Sequence, residues 1–423
     1  MSSEKGVELQ NLNVVPTFQK GVKAAAKTSA SLLPKTIRQH VSDENLQMLL
    51  YLIVIILVIF IGYLFYFYLA NNNDDSSDLP SLDVTLRSFN TADKDYQHNL
   101  RDYYIKSSYN SCAHDDFDNT FVKMCALDNV IKSGARFLDF EIYSMSGEPV
   151  ISVSNGDDFN TQQSFKQLGF KEVMSRVKSR CFSSSGCPNP DDPVFLHFRI
   201  KSNRREICNK MAKELEIFEK GGYLLGANFS KGFFGNNLGI IPLRYLSKNG
   251  EIEGSSNSEP KVVIIVSNEN KVYIDTPLYE YVNIESGSPF LSLLRETSDI
   301  ANAPSQDELK EQNKRNMTIA IPDPIPQDGG SLASLHCCVP DSFNLNFTRD
   351  FSLGCQFVTM CYQNKDEYLE KYTKFFNEKR SAFVLKAEEL RYIPKTIPAP
   401  TPQKKENSFA KRTVSADYFK FNI

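Results

Sequence analysis

The segment from Tyr103 to Tyr143, YYIKSSYNSCAHDDFDNTFVKMCALDNVIKSGARFLDFEIY, changes its hydrophobic period three times. An apolar run leads into Ser107-Ser108-Tyr109-Asn110. An amphipathic segment follows from Phe121 to Lys132, and after a break at Gly134 the run Phe137–Ile142 alternates as a strand does. Strand, polar loop, helix and strand in that order are the grammar of a parallel sheet covered by helices. In such folds the polar residues at strand ends hold the site.

With 423 residues, 41% of them hydrophobic, the chain can bury one large core. The net charge of −3 gives no reason to expect a nucleic-acid partner. All nine cysteines follow residue 100, and their spacings fit no zinc pattern. Cys181 and Cys187 flank a Ser/Gly loop and are candidates for a disulfide.

Residues 1–45 are polar and Lys/Ser-rich and read as a disordered tail. Met48 to Ala70 is then 23 residues without a charge. As a helix it would rise roughly 34 Å, enough for a hydrocarbon core of about 30 Å. It is too long, and starts too far from Met1, for a cleaved signal peptide. Lys20, Lys23, Lys27, Lys35 and Arg38 precede it and Asp74 and Asp75 follow it, so the positive-inside rule places the N-terminus in the cytosol. The expectation is a signal-anchor helix over 46–70 and a large extracytoplasmic domain. The sequons at Asn228, Asn316 and Asn346 are glycosylation candidates on that topology. Residues 71–92 read as a polar linker, 394–423 as a mobile tail rich in Pro and Lys, and both Lys248–Pro260 and Asn302–Lys314 as polar surface excursions.

The stretch around Ser107–Asn110 resembles the start of the X region of eukaryotic phosphoinositide-specific phospholipase C. In that family a Ser-Ser-His-Asn strand end supplies a catalytic histidine and a calcium ligand, and a Glu-x-Asp strand supplies two more ligands. Here Tyr109 holds the histidine position, Asn110 is kept, and the acidic pair appears in swapped order as Asp139 and Glu141. Glu148–Ser154 resembles the second active-site strand, with Val153 at the second histidine. Pro193–Arg199 resembles a strand that ends in a glutamate ligand, with Arg199 in its place, and Lys261–Ile265 resembles the strand that closes the region. Asn313–Pro322 resembles a Y-region segment that grips substrate phosphate, with Ile319 and Ile321 where arginine and tyrosine would stand. Asp341–Asn344, Gly354–Val358, Phe383–Lys386 and Leu390-Arg391 follow in the family's order.

The resemblance implies a TIM-type (β/α)8 barrel of the phospholipase-C-like phosphodiesterase kind, preceded by a transmembrane helix. Its X-like half would cover 93–247, inter-half strands and loops 248–330, and its Y-like half 331–393. It also implies damaged chemistry. In the family, calcium acidifies the inositol hydroxyl while two histidines move protons. Val153 cannot transfer a proton, and Tyr109, with an ordinary pKa of about 10, is a poor base at neutral pH. Arg199 puts a positive charge where a carboxylate would hold the cation, and a guanidinium paired with Asp139 or Glu141 is the expected replacement. His114, expected in a solvated loop, and His197, on one strand face with Arg199, are the substitute bases to consider.

The expectation is therefore a membrane-bound, catalytically degenerate barrel that binds a phospholipid headgroup or a protein, or serves in a membrane, viral envelope or internal virion membrane. No cofactor is expected. The competing expectation is an active phosphoric diester hydrolase that uses Ca2+ at Asn110, Asp139 and Glu141.

Overall fold

The computed structural model describes residues 43–72, 84–115, 117, 120–155, 159–252, 255–323, 344, 346–394 and 411–422. The tail over 1–42, residues 73–83 of the 71–92 linker, and Asp341-Ser342-Phe343 lie outside them. The chain divides into a unit up to Asp78 and a unit from Leu79 onward.

In the first unit, α1 (Asp43–Asn72) is a single helix of 30 residues. The run without a charge makes it: Leu, Ile and Phe supply no competing hydrogen bonds, and Gly62 interrupts only one turn. Leu52, Ile56 and Phe60 are each more than half exposed. Among the described side chains, which in this helix are 48–49 and 51–66, no helix is long and apolar enough to cross a membrane.

The second unit is built on eight parallel strands. In chain order they are β1 (Tyr103–Ser108), β2 (Phe137–Met145), β5 (Val194–Ile200), β6 (Val262–Ser267), β7 (Ile284–Ser286), β8 (Leu291–Arg295), β9 (Met317–Ile321) and β10 (Phe357–Met360). Side by side they run β8-β9-β10-β1-β2-β5-β6-β7, so the sheet comes round almost to closure. Between β7 and β8 the chain passes through a four-residue turn instead of a ladder, with the Gly287 amide donating to the Leu291 carbonyl at 2.8 Å. This join departs from a regular (β/α)8 barrel, in which a helix would separate every pair of strands. A hairpin also intrudes: β3 (Glu148–Ser152) returns antiparallel along β2, and the short β4 (Leu168–Gly169) pairs with it. Lastly, β11 (Phe383–Leu385) runs antiparallel to Tyr103–Ile105, below the level at which β2 begins.

Helices cover the sheet with their apolar stripes. In α2 (Met124–Lys132), Met124, Leu127, Val130 and Ile131 are buried at helical spacing. Gly134, in the left-handed region with φ +81°, turns the chain toward β2, and a Cβ there would meet the Leu86 side chain at 2.5 Å. α3 (Phe170–Cys181) buries Phe170, Val173, Met174 and Val177, and α4 (Arg205–Lys220) buries Ile207, Met211, Leu215 and Phe218. The polar stretch expected as a surface excursion after Asn302 is instead the helix α5 (Gln306–Arg315). Ser305 caps it by accepting from the Glu308 amide, and Leu309 and Asn313 are its buried face. Two buried residues per three turns were too few to read as a helical period.

Candidate functional site

The barrel interior is set by one register. β2 and β5 lie parallel with Phe137 beside Phe195, Asp139 beside His197, and Glu141 beside Arg199. Side chains alternate along a strand, so these six share the inward face and form three successive layers. The lowest is aromatic: the Phe137 and Phe357 ring centroids lie 4.8 Å apart, and Phe195 meets Phe357 at 5.6 Å. The upper two layers are polar, and they lie toward the carboxyl ends of the strands.

Arg199 is buried and makes four hydrogen bonds. Its Nε donates to Asp139 Oδ1 at 3.0 Å and Nη2 to Asp139 Oδ2 at 2.7 Å. Nη1 donates to Glu141 Oε1 at 2.7 Å, and Nη2 also reaches Asn110 Oδ1 at 2.9 Å. The guanidinium lies under the Tyr109 ring, 4.6 Å from its centroid, so a cation–π contact covers its open face. Around it the carboxylates take further donors. Asp139 Oδ2 accepts the Asn110 amide at 3.0 Å, His197 Nδ1 is 2.8 Å from Asp139 Oδ1, and the Tyr143 hydroxyl donates to Glu141 Oε2 at 2.8 Å. The other His197 nitrogen is 2.8 Å from Ser286 Oγ at the end of β7.

Asn110 reaches this cluster because its backbone is left-handed, with φ 41°, a conformation asparagine adopts more readily than most residues. The turn is fixed from β2: the Ser111 amide donates to the Asp139 carbonyl at 2.8 Å, and the Asp139 amide donates to Ser111 Oγ at 3.0 Å.

Electrostatics follow from burial and pairing together. Burial opposes ionisation of Asp139, but the Arg199 charge and the His197 and Arg199 hydrogen bonds outweigh it and hold the carboxyl well below its usual range. Burial likewise works against the charged form of Arg199, yet Asp139 and its other neighbours raise it well above its ordinary value. Tyr109 is pushed up, mainly by burial, and stays un-ionised. Tyr143 is also raised, first by burial and then by the Glu141 charge and hydrogen bond.

Val153 is buried one position past Ser152, which lies opposite Glu141. Ile319 is fully buried beside Leu293 and Phe357, and Ile321 ends β9. His114 is a correction: expected in a solvated loop, it is buried, because the loop folds down through an Ala113–Val122 bridge. Cys181 and Cys187 are free thiols, with Cys187 Sγ donating to the Cys181 carbonyl at 3.0 Å. Among the sequons, Asn228 and Asn346 are exposed, while the hydroxyl residues Ser230 of the Asn228 sequon and Thr318 of the Asn316 sequon are buried. Sequence reasoning missed Tyr143 and Ser286. Tyr143 could have been found, since it lies two positions beyond Glu141 on the same face. Ser286 carried no signal.

The three side chains that the resemblance offers for calcium, Asn110, Asp139 and Glu141, direct their oxygens at the Arg199 guanidinium and at other donors. This donor set does not fit a divalent cation while Arg199 stands between them, because the ion would have to displace a buried, four-fold hydrogen-bonded cation of like sign.

Among solved structures the chain is similar to S. officinalis PLC21, with 17% identity over 71% of this chain and a TM-score of 0.48, and it spans 39% of that protein's length. It is also similar to the phosphatidylinositol-specific phospholipase C from Listeria monocytogenes, at 13% identity over 69% of this chain and 97% of that one, with a TM-score of 0.34. A putative glycerophosphoryl diester phosphodiesterase from Silicibacter pomeroyi matches at 9% identity over 65% of this chain and 96% of that one, again with a TM-score of 0.34. No family model matches the sequence, and no curated protein does.

Proposed function

We propose that this chain is a bilayer-anchored, non-catalytic relative of the phospholipase-C-like barrels, and that it acts by binding. Its occupant is a phospholipid headgroup or a protein, and a structural role in a cellular or virion membrane is the limiting case of that reading. Met48–Ala70 anchors it, with the N-terminus cytosolic and the barrel on the far side. The 23 residues without a charge and the basic flank that precedes them support this part.

One observation carries the loss of chemistry: Arg199 bridges Asp139, Glu141 and Asn110 where the family resemblance would set a calcium ion. A fixed guanidinium neutralises the carboxylates as a cation would, but it carries no exchangeable position for a hydroxyl or a phosphate oxygen. The two proton-transfer positions reinforce this. Val153 has no proton to move, and the Tyr109 phenol is held protonated. General acid–base groups are worth roughly 10²–10⁴-fold in rate, so their loss by itself would leave little turnover.

The test is turnover of phosphatidylinositol and its phosphates by the full chain, with calcium and with chelator, beside an active phospholipase C. The expected result is no release of inositol phosphate, together with no micromolar calcium binding by calorimetry. Calcium-dependent release would overturn the reading and make His197 and His114 the first residues to replace. In Arg199→Glu, the oxygens freed at Asp139, Glu141 and Asn110 should give a calorimetric calcium signal that the wild type lacks.

A further inference from the structure

The stretch 411–422 forms a small sheet of its own. β12 (Thr413–Ala416) and β13 (Phe419–Asn422) pair antiparallel and, among the described residues, with no other strand. Val414 lies opposite Phe421, Ala416 opposite Phe419, Thr413 opposite Asn422, and Ser415 opposite Lys420. Directly opposed residues share a face, and side chains alternate along each strand. One face is therefore wholly apolar, made of Val414, Ala416, Phe419 and Phe421, and the other wholly polar. Every strand residue is exposed. Phe421 is 60% exposed, Phe419 48%, and Tyr418 at the turn 98%. The two phenylalanine rings lie 5.2 Å apart, a continuous apolar strip.

A lone two-stranded hairpin is marginally stable at best in water, so this apolar face calls for a cover. The charge around it indicates which kind. Within 411–422 there are three basic side chains, Lys411, Arg412 and Lys420, against one acidic one, Asp417. Basic residues beside exposed aromatic rings match a headgroup layer, where rings settle at the interface and cations meet lipid phosphates. An acidic protein groove would satisfy the charge, but it would not account for Tyr418 and Phe419 standing together at the tip, the placement an interface favours.

We propose that the 413–422 hairpin lays its apolar face on an anionic phospholipid headgroup layer on the barrel's side of the membrane, a contact additional to the helical anchor. The proposal rests on the reading that Met48–Ala70 brings the chain to a bilayer.

The chain contains no tryptophan, so Phe421→Trp in the full chain supplies a single reporter. The protein is reconstituted into phosphatidylcholine vesicles with and without phosphatidylserine, and flotation scores the helix separately. The expected result is blue-shifted indole emission that brominated lipid quenches, strongest with phosphatidylserine. Combining the reporter with Lys411→Glu, Arg412→Glu and Lys420→Glu should abolish most of that quenching. Protein that floats with an indole untouched by brominated lipid would overturn the hairpin contact while leaving the anchor intact. If the chain does not float, the anchor reading fails. The same vesicles added to the free protein then decide the hairpin alone: quenching supports the contact, and its absence overturns it.

Discussion

Two layers of the same barrel, contributed by residues two apart on the same strands, are held in opposite ways. Phe137, Phe195 and Phe357 at the base are joined by non-directional burial. Asp139, Glu141, His197 and Arg199 above them are equally buried, yet each depends on a named partner in a named place. The base can lose a contact and keep the rest. In the upper layer one cation serves two carboxylates, and removing it leaves both without their charge partner. The likeness of burial conceals a difference in how failure spreads.

The largest effect should come from Arg199→Met. Unpairing a buried ion pair costs about 3–5 kcal/mol, and with two carboxylates stranded the loss should approach about 5 kcal/mol at neutral pH in urea unfolding. Its pH dependence should invert as well. In the wild type the folded-state pKa of Asp139 is depressed, so its contribution is present above the unfolded value of about 3.9 and is lost as pH falls below that toward the folded pKa. Without the guanidinium only the His197 contacts and the Asn110 amide oppose burial, and the folded pKa should rise above the unfolded one. The folded state then binds more protons, and the variant should become more stable as pH is lowered from 7 toward 4. A variant that keeps the wild-type acid profile would show that Arg199 is not the controlling partner.

Phe137→Ala sharpens the contrast from the other side. It should cost about 4 kcal/mol through lost burial and a cavity. That loss should vary little between pH 4 and 8, because Phe137 meets the charged layer only through the His197 ring, 5.5 Å between centroids, and takes no hydrogen bond from it. A strongly pH-dependent loss would mean that the aromatic base and the charged layer do not act separately.

A double-mutant cycle tests how the upper layer shares its cation. Arg199→Met with Glu141→Gln should recover about 2 kcal/mol relative to the sum of the single changes, since neighbours in one network couple by about 0.5–3 kcal/mol. Strict additivity would break the picture of a shared guanidinium. The smallest effect is expected at Ser286→Ala, which removes one hydrogen bond to His197 and should cost about 1 kcal/mol. No measurable change there would place Ser286 outside the network.

Much of this was open to reading in the chain itself. The Tyr103–Tyr143 pattern gave strand, helix and strand, and β1, α2 and β2 lie on it. Period-two spacing put Asp139 with Glu141 and His197 with Arg199 on common faces. The polar helix α5 was obscured because only Leu309 and Asn313 bury, which is too weak a stripe to register as a period. The hairpin at the other end of the chain was hidden by basic and proline-rich neighbours. Its alternation became meaningful only once a two-residue turn joined the halves.

The sequence by itself determined the class of fold and the kinds of side chain at the strand ends, because these depend on residue type and local period alone. Only the tertiary structure decided that Glu141 lies beside Arg199 instead of one step along, and that Ser286, 89 positions from His197, completes its hydrogen bonding. The reason is physical. Local sequence fixes which face a side chain takes, whereas the stagger of parallel strands is set by packing around the whole barrel, and that stagger chooses the partner.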